Sequence, residues 1–140
     1  MHISDACLRA RRETRAWLIE CTPMANPNKR KGDRAELDLA KLLTEMLNQP
    51  MRRALGAGRA DDIGDIDGMP TCAIQVKHWR DITAAIREGI TQLQQQQTNK
   101  HAADGVLFVK HNKHGWLAVT TLEQWTRTEN ERKPDQQQHS

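Results

Sequence analysis

A chain of 140 residues with 37% hydrophobic and 28% charged residues, one Phe and no Tyr, predicts a single domain with a modest aliphatic core that dimerisation would help to complete. The formal charge of +3 does not by itself establish a nucleic-acid partner, but it is unevenly spread: residues 1–60 hold 12 Lys and Arg against 7 Asp and Glu, and residues 61–140 hold 9 against 11. No apolar run reaches transmembrane length, no signal-peptide pattern opens the chain, and Cys7, Cys21 and Cys72 form no CxxC pair, so the expectation is a reducing cytoplasm, no membrane association and no structural zinc.

Residues 1–28 read as an accessory N-terminal arm, free to be disordered, in which Leu8, Trp17, Leu18 and Ile19 are scattered among arginines and Met24 is an alternative start. Leu39, Leu42, Leu43, Met46 and Leu47 recur at helical spacing and predict a helix over 33–47, stopped by Asn48-Gln49-Pro50. A short strand at 51–55 is followed by a loop through Gly56-Ala57-Gly58 and the Asp-rich segment behind it. A second short strand is expected at 63–66, with Asp67-Gly68 as a hairpin turn signal. Residues 71–79 form the clearest strand. Asp81 is a good N-cap for a helix to about Gln97 with an apolar stripe of Ile82, Ala85, Ile86, Ile90 and Leu93. Strands at 106–109 and 116–119 flank a turn at 111–115, and Thr121 caps a short helix through Trp125. Residues 129–140 are polar, Gln-rich and expected to be a disordered tail, which leaves 29–128 as the folded domain. The order α-β-β-β-α-β-β-α predicts a mixed sheet flanked by helices, in the α/β or α+β class.

Strand alternation places Gln75 and Lys77 side by side on one face, while Val76 points the other way into a core. With Asp65 on the adjacent strand, one face would hold a carboxylate, an amide oxygen and an ammonium, a set suited to holding a divalent metal and activating water against a phosphodiester. Each residue also has a plainer reading. Asp65 fits a turn aspartate, with Asp61 and Asp62 as neighbouring candidates. Lys77 fits a surface lysine at a strand end. Glu36 lies at helical spacing with Leu39, Leu43 and Leu47, near the buried edge of its helix, yet Asp33 and Glu36 also fit an acidic capping box. Arg52 and Arg53 suit bidentate phosphate contacts or a charged edge strand. Lys29, Arg30, Lys31 and Arg34 suit a basic approach to a phosphate backbone. Gln92 and Gln96 read as a solvated helix face, and His111 to His114 as an ordinary hairpin tip.

Taken together, Gly32-Asp33-Arg34-Ala35-Glu36, Arg53, Gly56-Ala57-Gly58, Gly64-Asp65-Ile66-Asp67-Gly68 and Gln75-Val76-Lys77 resemble the PD-(D/E)XK nuclease superfamily, and within it the small Holliday junction resolvases of archaea and phages; the resemblance covers residues 29–120. It implies a restriction-endonuclease-like central mixed β-sheet flanked by helices. It also implies a homodimeric, metal-dependent endonuclease nicking symmetric strands of four-way DNA junctions, in the host cytoplasm if phage-encoded. Glu36, Asp65, Gln75 and the Val76 carbonyl would hold Mg²⁺, with Mn²⁺ able to substitute, and Lys77 would position the attacking water. Lys29, Arg30, Lys31, Arg34, Arg52 and Arg53 would contact DNA. Gln75 departs from the pattern, which most often has Glu or Asp there; an amide keeps the oxygen donor but loses a charge, so weaker metal binding is expected. Gln92 and Gln96 are faintly similar to a Gln-x-x-x-Tyr element of related nucleases, without the Tyr. The alternatives are another nicking or repair nuclease of this superfamily and a non-catalytic DNA-binding module of the same fold.

Overall fold

The computed structural model describes residues 27–54 and 62–134. The expected arm over 1–26, the Gly56-Ala57-Gly58 loop with Asp61, and residues 135–140 lie outside them. The chain divides into two compact units, Met1–Arg34 and Ala35–Ser140. Of the first, the described part is 27–34, the opening turns of helix α1 (Pro27–Leu47). Pro27 suits the first helical position, where a backbone N–H would have no intrahelical partner.

The second unit holds the rest of α1, then β1 (Arg52–Arg53), β2 (Ile66–Asp67), β3 (Cys72–Lys77), α2 (Ile82–Lys100), β4 (Asp104–His111), β5 (Gly115–Val119) and α3 (Leu122–Arg132). Three helices and a mixed three-stranded sheet thus form an α+β arrangement among the described residues. In that sheet β3 and β4 run parallel, with Gln75 opposite Leu107 and Lys77 opposite Val109, and β4 and β5 form an antiparallel hairpin. A parallel pair needs a long crossover, which α2 supplies. The antiparallel pair β1–β2 attaches where the Asp65 N–H donates to the Ile74 carbonyl at 2.7 Å.

Both faces of β3 are covered, which explains its nearly continuous apolar run. Cys72, Ile74 and Val76 pack with Ala35, Leu39, Ala40 and Leu43 of α1, and with Met51 and Ile66. Ala73 points the other way, into a cluster with Ala85 and Leu93 of α2 and Leu107 and Val109 of β4. Helix α2 lies very close to the sheet: a Cβ on Gly89 would sit 2.6 Å from a Leu107 methyl. Its ends follow the rules of capping. The Asp81 carboxylate accepts the Ala84 N–H at 3.0 Å, and His101 closes the helix at φ 55°.

Several boundaries differ from those the sequence predicts. Helix α1 begins at Pro27, not at residue 33, so Asp33 and Glu36 lie inside the helix and form no capping box. Its buried row is Ala35, Leu39, Ala40 and Leu43, leaving Leu42, Met46 and Leu47 exposed. Strand β1 is short because its partner is short: Gly64 (φ 124°) and Gly68 (φ 140°) bend the chain on either side of β2. Asp67 belongs to β2, and the turn follows it. The central strand ends at Lys77 rather than Trp79, α2 runs on to Lys100, and α3 continues past Trp125 to Arg132, so residues 129–132 of the expected tail are helical. No helix among the described residues is long and apolar enough to cross a membrane.

Candidate active site around Asp65, Gln75 and Lys77

Gly64 and the close approach of its segment to β3 fix where Asp65 sits. With a Cβ at Gly64, that atom would lie 2.9 Å from the Ile74 carbonyl oxygen, so glycine permits the close approach of the two strands. Asp65 then spans the gap twice, by its backbone N–H on Ile74 and by its side chain, whose Oδ2 accepts the Val76 N–H at 2.8 Å. The carboxylate accepts a backbone N–H of β3, as a neighbouring carbonyl would, and so lies beside the segment Gln75-Val76-Lys77. It is only 5% exposed.

Burial raises the Asp65 carboxyl from 3.8 to about 7. The Val76 N–H opposes that rise, the negative charges of Glu36 and Asp62 add to it, and the Lys77 ammonium opposes it. Lys77 is half-buried, and burial lowers its pKa against the charges of Asp65, Glu88 and Glu36. Its ammonium stands 4.6 Å from the ring centroid of the partly exposed Trp79. Alternation along β3 thus holds, with Val76 in the α1-side core and Gln75 and Lys77 on the opposite face. Glu36 has a 14% exposed side chain and receives the Arg53 Nε–H at 2.6 Å.

Gln75 is 4% exposed and engaged at both ends of its amide. Its Nε2 donates to Gln92 Oε1 at 2.9 Å, and its Oε1 accepts from Gln96 Nε2. Gln96 also donates to Asp62 Oδ2 at 3.1 Å, and the Asn99 amide donates to the Asp62 carbonyl at 2.8 Å. The expectation of a solvated face is therefore overturned for Gln96, which is 2% exposed, while Gln92 is half-buried and Gln94 and Gln95 are exposed. The signal was present in the spacing, since Ala85, Gly89, Leu93 and Gln96 fall on one helical face and all are buried.

Asp65, Glu36 and Lys77 are thus near enough to act on one another's charge, and Gln75 flanks Lys77 on the strand. Arg53 reaches the site through Glu36. Arg52 points outward, 3.6 Å from Asp67. Lys29, Arg30, Lys31 and Arg34 are exposed on the first turns of α1, within the first unit. His111 accepts the Lys113 and His114 N–H groups on its Nδ1, as a hairpin tip does. Burial pushes the Cys72 thiol up to about 11, which removes it as a thiolate nucleophile.

The donors around Asp65 are all oxygen, the preference of hard divalent cations. Among the described residues no group of three His, Cys, Asp or Glu is placed to hold a metal ion. Mg²⁺ asks for less, since it keeps several waters and is often held by one or two carboxylates together with substrate phosphate. A buried carboxyl raised to about 7 by lost hydration and two like charges is a place where a cation relieves the cost of ionisation. The chemistry of this donor set suits such an ion. Comparison with protein-family models, with curated proteins and with solved structures yields no significant match.

Proposed function

We propose that the protein is a divalent-metal-dependent DNA endonuclease of the PD-(D/E)XK type, with the restriction-endonuclease-like version of the α+β fold, and that it acts as a homodimeric Holliday junction resolvase in the cytoplasm. The observation that carries this reading is the bond from the Val76 N–H to Asp65 Oδ2, which sets a buried acid against the strand bearing Gln75 and Lys77. Asp65, Glu36, Gln75 and the Val76 carbonyl would hold Mg²⁺ or Mn²⁺. Such an ion supplies activation of water and charge neutralisation at the leaving oxygen when bound. Lys77 orients the attacking water and stabilises charge on the phosphate as its fifth oxygen bond forms. Arg53, through its pair with Glu36, steadies one carboxylate and brings a positive charge beside the site. Two sites related by a dimer axis match two scissile strands related by the near two-fold axis of a junction, and recognition is by shape and phosphates.

Cleavage of a synthetic four-way junction with Mg²⁺, beside a linear duplex of matched sequence, tests the reading. Symmetric nicks in the junction alone, lost in Asp65→Asn and Lys77→Ala while binding persists, are expected. Equal cleavage of both substrates would transfer the protein to the nicking or repair nucleases. A second reading, a non-catalytic DNA-binding module, is favoured by one observation: both ends of the Gln75 amide are already hydrogen-bonded. Tight junction binding without nicks, unchanged in Lys77→Ala, would establish it.

A further inference from the structure

A primary amide has two ends of nearly equal size, and only one accepts hydrogen bonds or binds cations; its partners decide which end faces where. A carboxylate needs no such instruction, because both its oxygens accept. Gln75 therefore raises a question that a carboxylate on β3 would not: what fixes its oxygen? An ionised Asp62 accepts only, so Gln96 must turn its NH₂ toward Asp62 Oδ2, 3.1 Å away. That same NH₂ meets Gln75, which must then present its oxygen. The Gln75 NH₂ is left facing Gln92 Oε1 at 2.9 Å. The chain of donors runs one way only. Reversing Gln96 would set its oxygen against both Asp62 and Gln75.

A second observation agrees. The Gln96 Oε1 atom is buried and has no hydrogen-bond partner among the described residues. A buried acceptor left unpaired is unfavourable, and Gln96 keeps this orientation nonetheless, because its NH₂ serves two acceptors at once.

We infer that Asp62 and Gln96 are positioning residues that fix the acceptor end of Gln75, and that through them a glutamine serves where a carboxylate would need no fixing. The inference rests on the metal-site reading above. It makes the value of Gln96 conditional on what stands at residue 75. Outer partners of metal ligands commonly change affinity by about 10–100-fold, so Gln96→Met, which keeps shape and removes both polar ends, should weaken binding at least about tenfold when residue 75 is Gln. In Gln75→Glu the same change should cost no more than about threefold, since either carboxylate oxygen can accept.

Mn²⁺ titration followed by electron paramagnetic resonance on the wild type, both single variants and the double variant reads this directly, with junction nicking measured in parallel. Asp62→Asn gives an independent route should Gln96→Met fail to fold: an asparagine can turn either end to Gln96, so Mn²⁺ binding should weaken when residue 75 is Gln and much less in Gln75→Glu. Equal losses in both backgrounds, no loss in either, or no Mn²⁺ binding by the wild type would overturn the inference. The conditional loss in binding without nicking by any protein would support it and overturn the nuclease reading. Nicking by the wild type with no such conditional loss would overturn the inference alone.

Discussion

Asp65 shows what burying a carboxyl does to the pH dependence of stability. Its carboxyl lies at about 7 in the folded protein against 3.8 ordinarily, so between these values the folded state holds a proton that the unfolded chain has released. Stability without divalent cations should therefore be greatest below about pH 4 as far as this group is concerned, and be lost as pH rises through 7, by a few kcal/mol in all at about 1.4 kcal/mol per unit. Urea midpoints at pH 5 and pH 8 in EDTA should show the fall. Asp65→Asn should flatten it while still accepting the Val76 N–H, and Mg²⁺ at pH 8 should restore part of the loss in the wild type. Lys77 belongs to the same balance from the other side. Lys77→Ala should lower junction nicking by about 10²–10⁴-fold, the range for loss of a proton-handling or water-orienting group, with junction affinity changed less than about tenfold. Single-turnover cleavage and gel-shift titration separate the two.

Among the elements, α2 carries the most information. Its closeness to β4 rests on Gly89, and Gly89→Ala would press a methyl against Leu107. The expected cost is about 1–3 kcal/mol, the usual range for overpacking a core, visible as a lower urea midpoint with an unchanged slope. The caps Asp81 and Thr121, the apolar run of β3 and the side-by-side placement of Gln75 and Lys77 were legible because they are local: one residue type, or one period, suffices. The burial of Gln96 was legible only in part: its spacing from Ala85, Gly89 and Leu93 puts it on the buried face of α2, but its polar partners lie outside that helix. A glutamine with four more in its immediate neighbourhood reads as solvent-facing, and only the approach of Asp62 and Gln75 supplies the partners that make its burial tolerable. The bounds of β1 and β2 were blurred for a similar reason: β2 is short because Gly64 and Gly68 take positive φ on either side of it, and β1 is no longer than its partner, while the sequence marks glycines without marking their dihedral angles. Arg53 on Glu36 was equally hidden, as the two lie 17 residues apart.

For the molecule as a whole, charge would set how DNA is approached on the nuclease reading. Basic residues crowd the first sixty positions and acidic ones the remainder, so binding should fall steeply with salt whatever the sequence of the junction arms. Replacing Lys29 and Lys31 with Ala should flatten the plot of log affinity against log salt by roughly one to two units if both contact phosphates. Junctions of different arm sequence should respond alike. The bond from the Val76 N–H to the Asp65 carboxylate has one more consequence for the protein in solution. The amide proton of Val76 is held by a titrating oxygen, not by a carbonyl, so its nuclear magnetic resonance should move with the ionisation of Asp65, centred near pH 7. It should move again when a cation takes that charge. On the nuclease reading, one backbone signal in a ¹⁵N-labelled sample would thus register proton, metal and phosphate in turn, with no reporter group added to the protein.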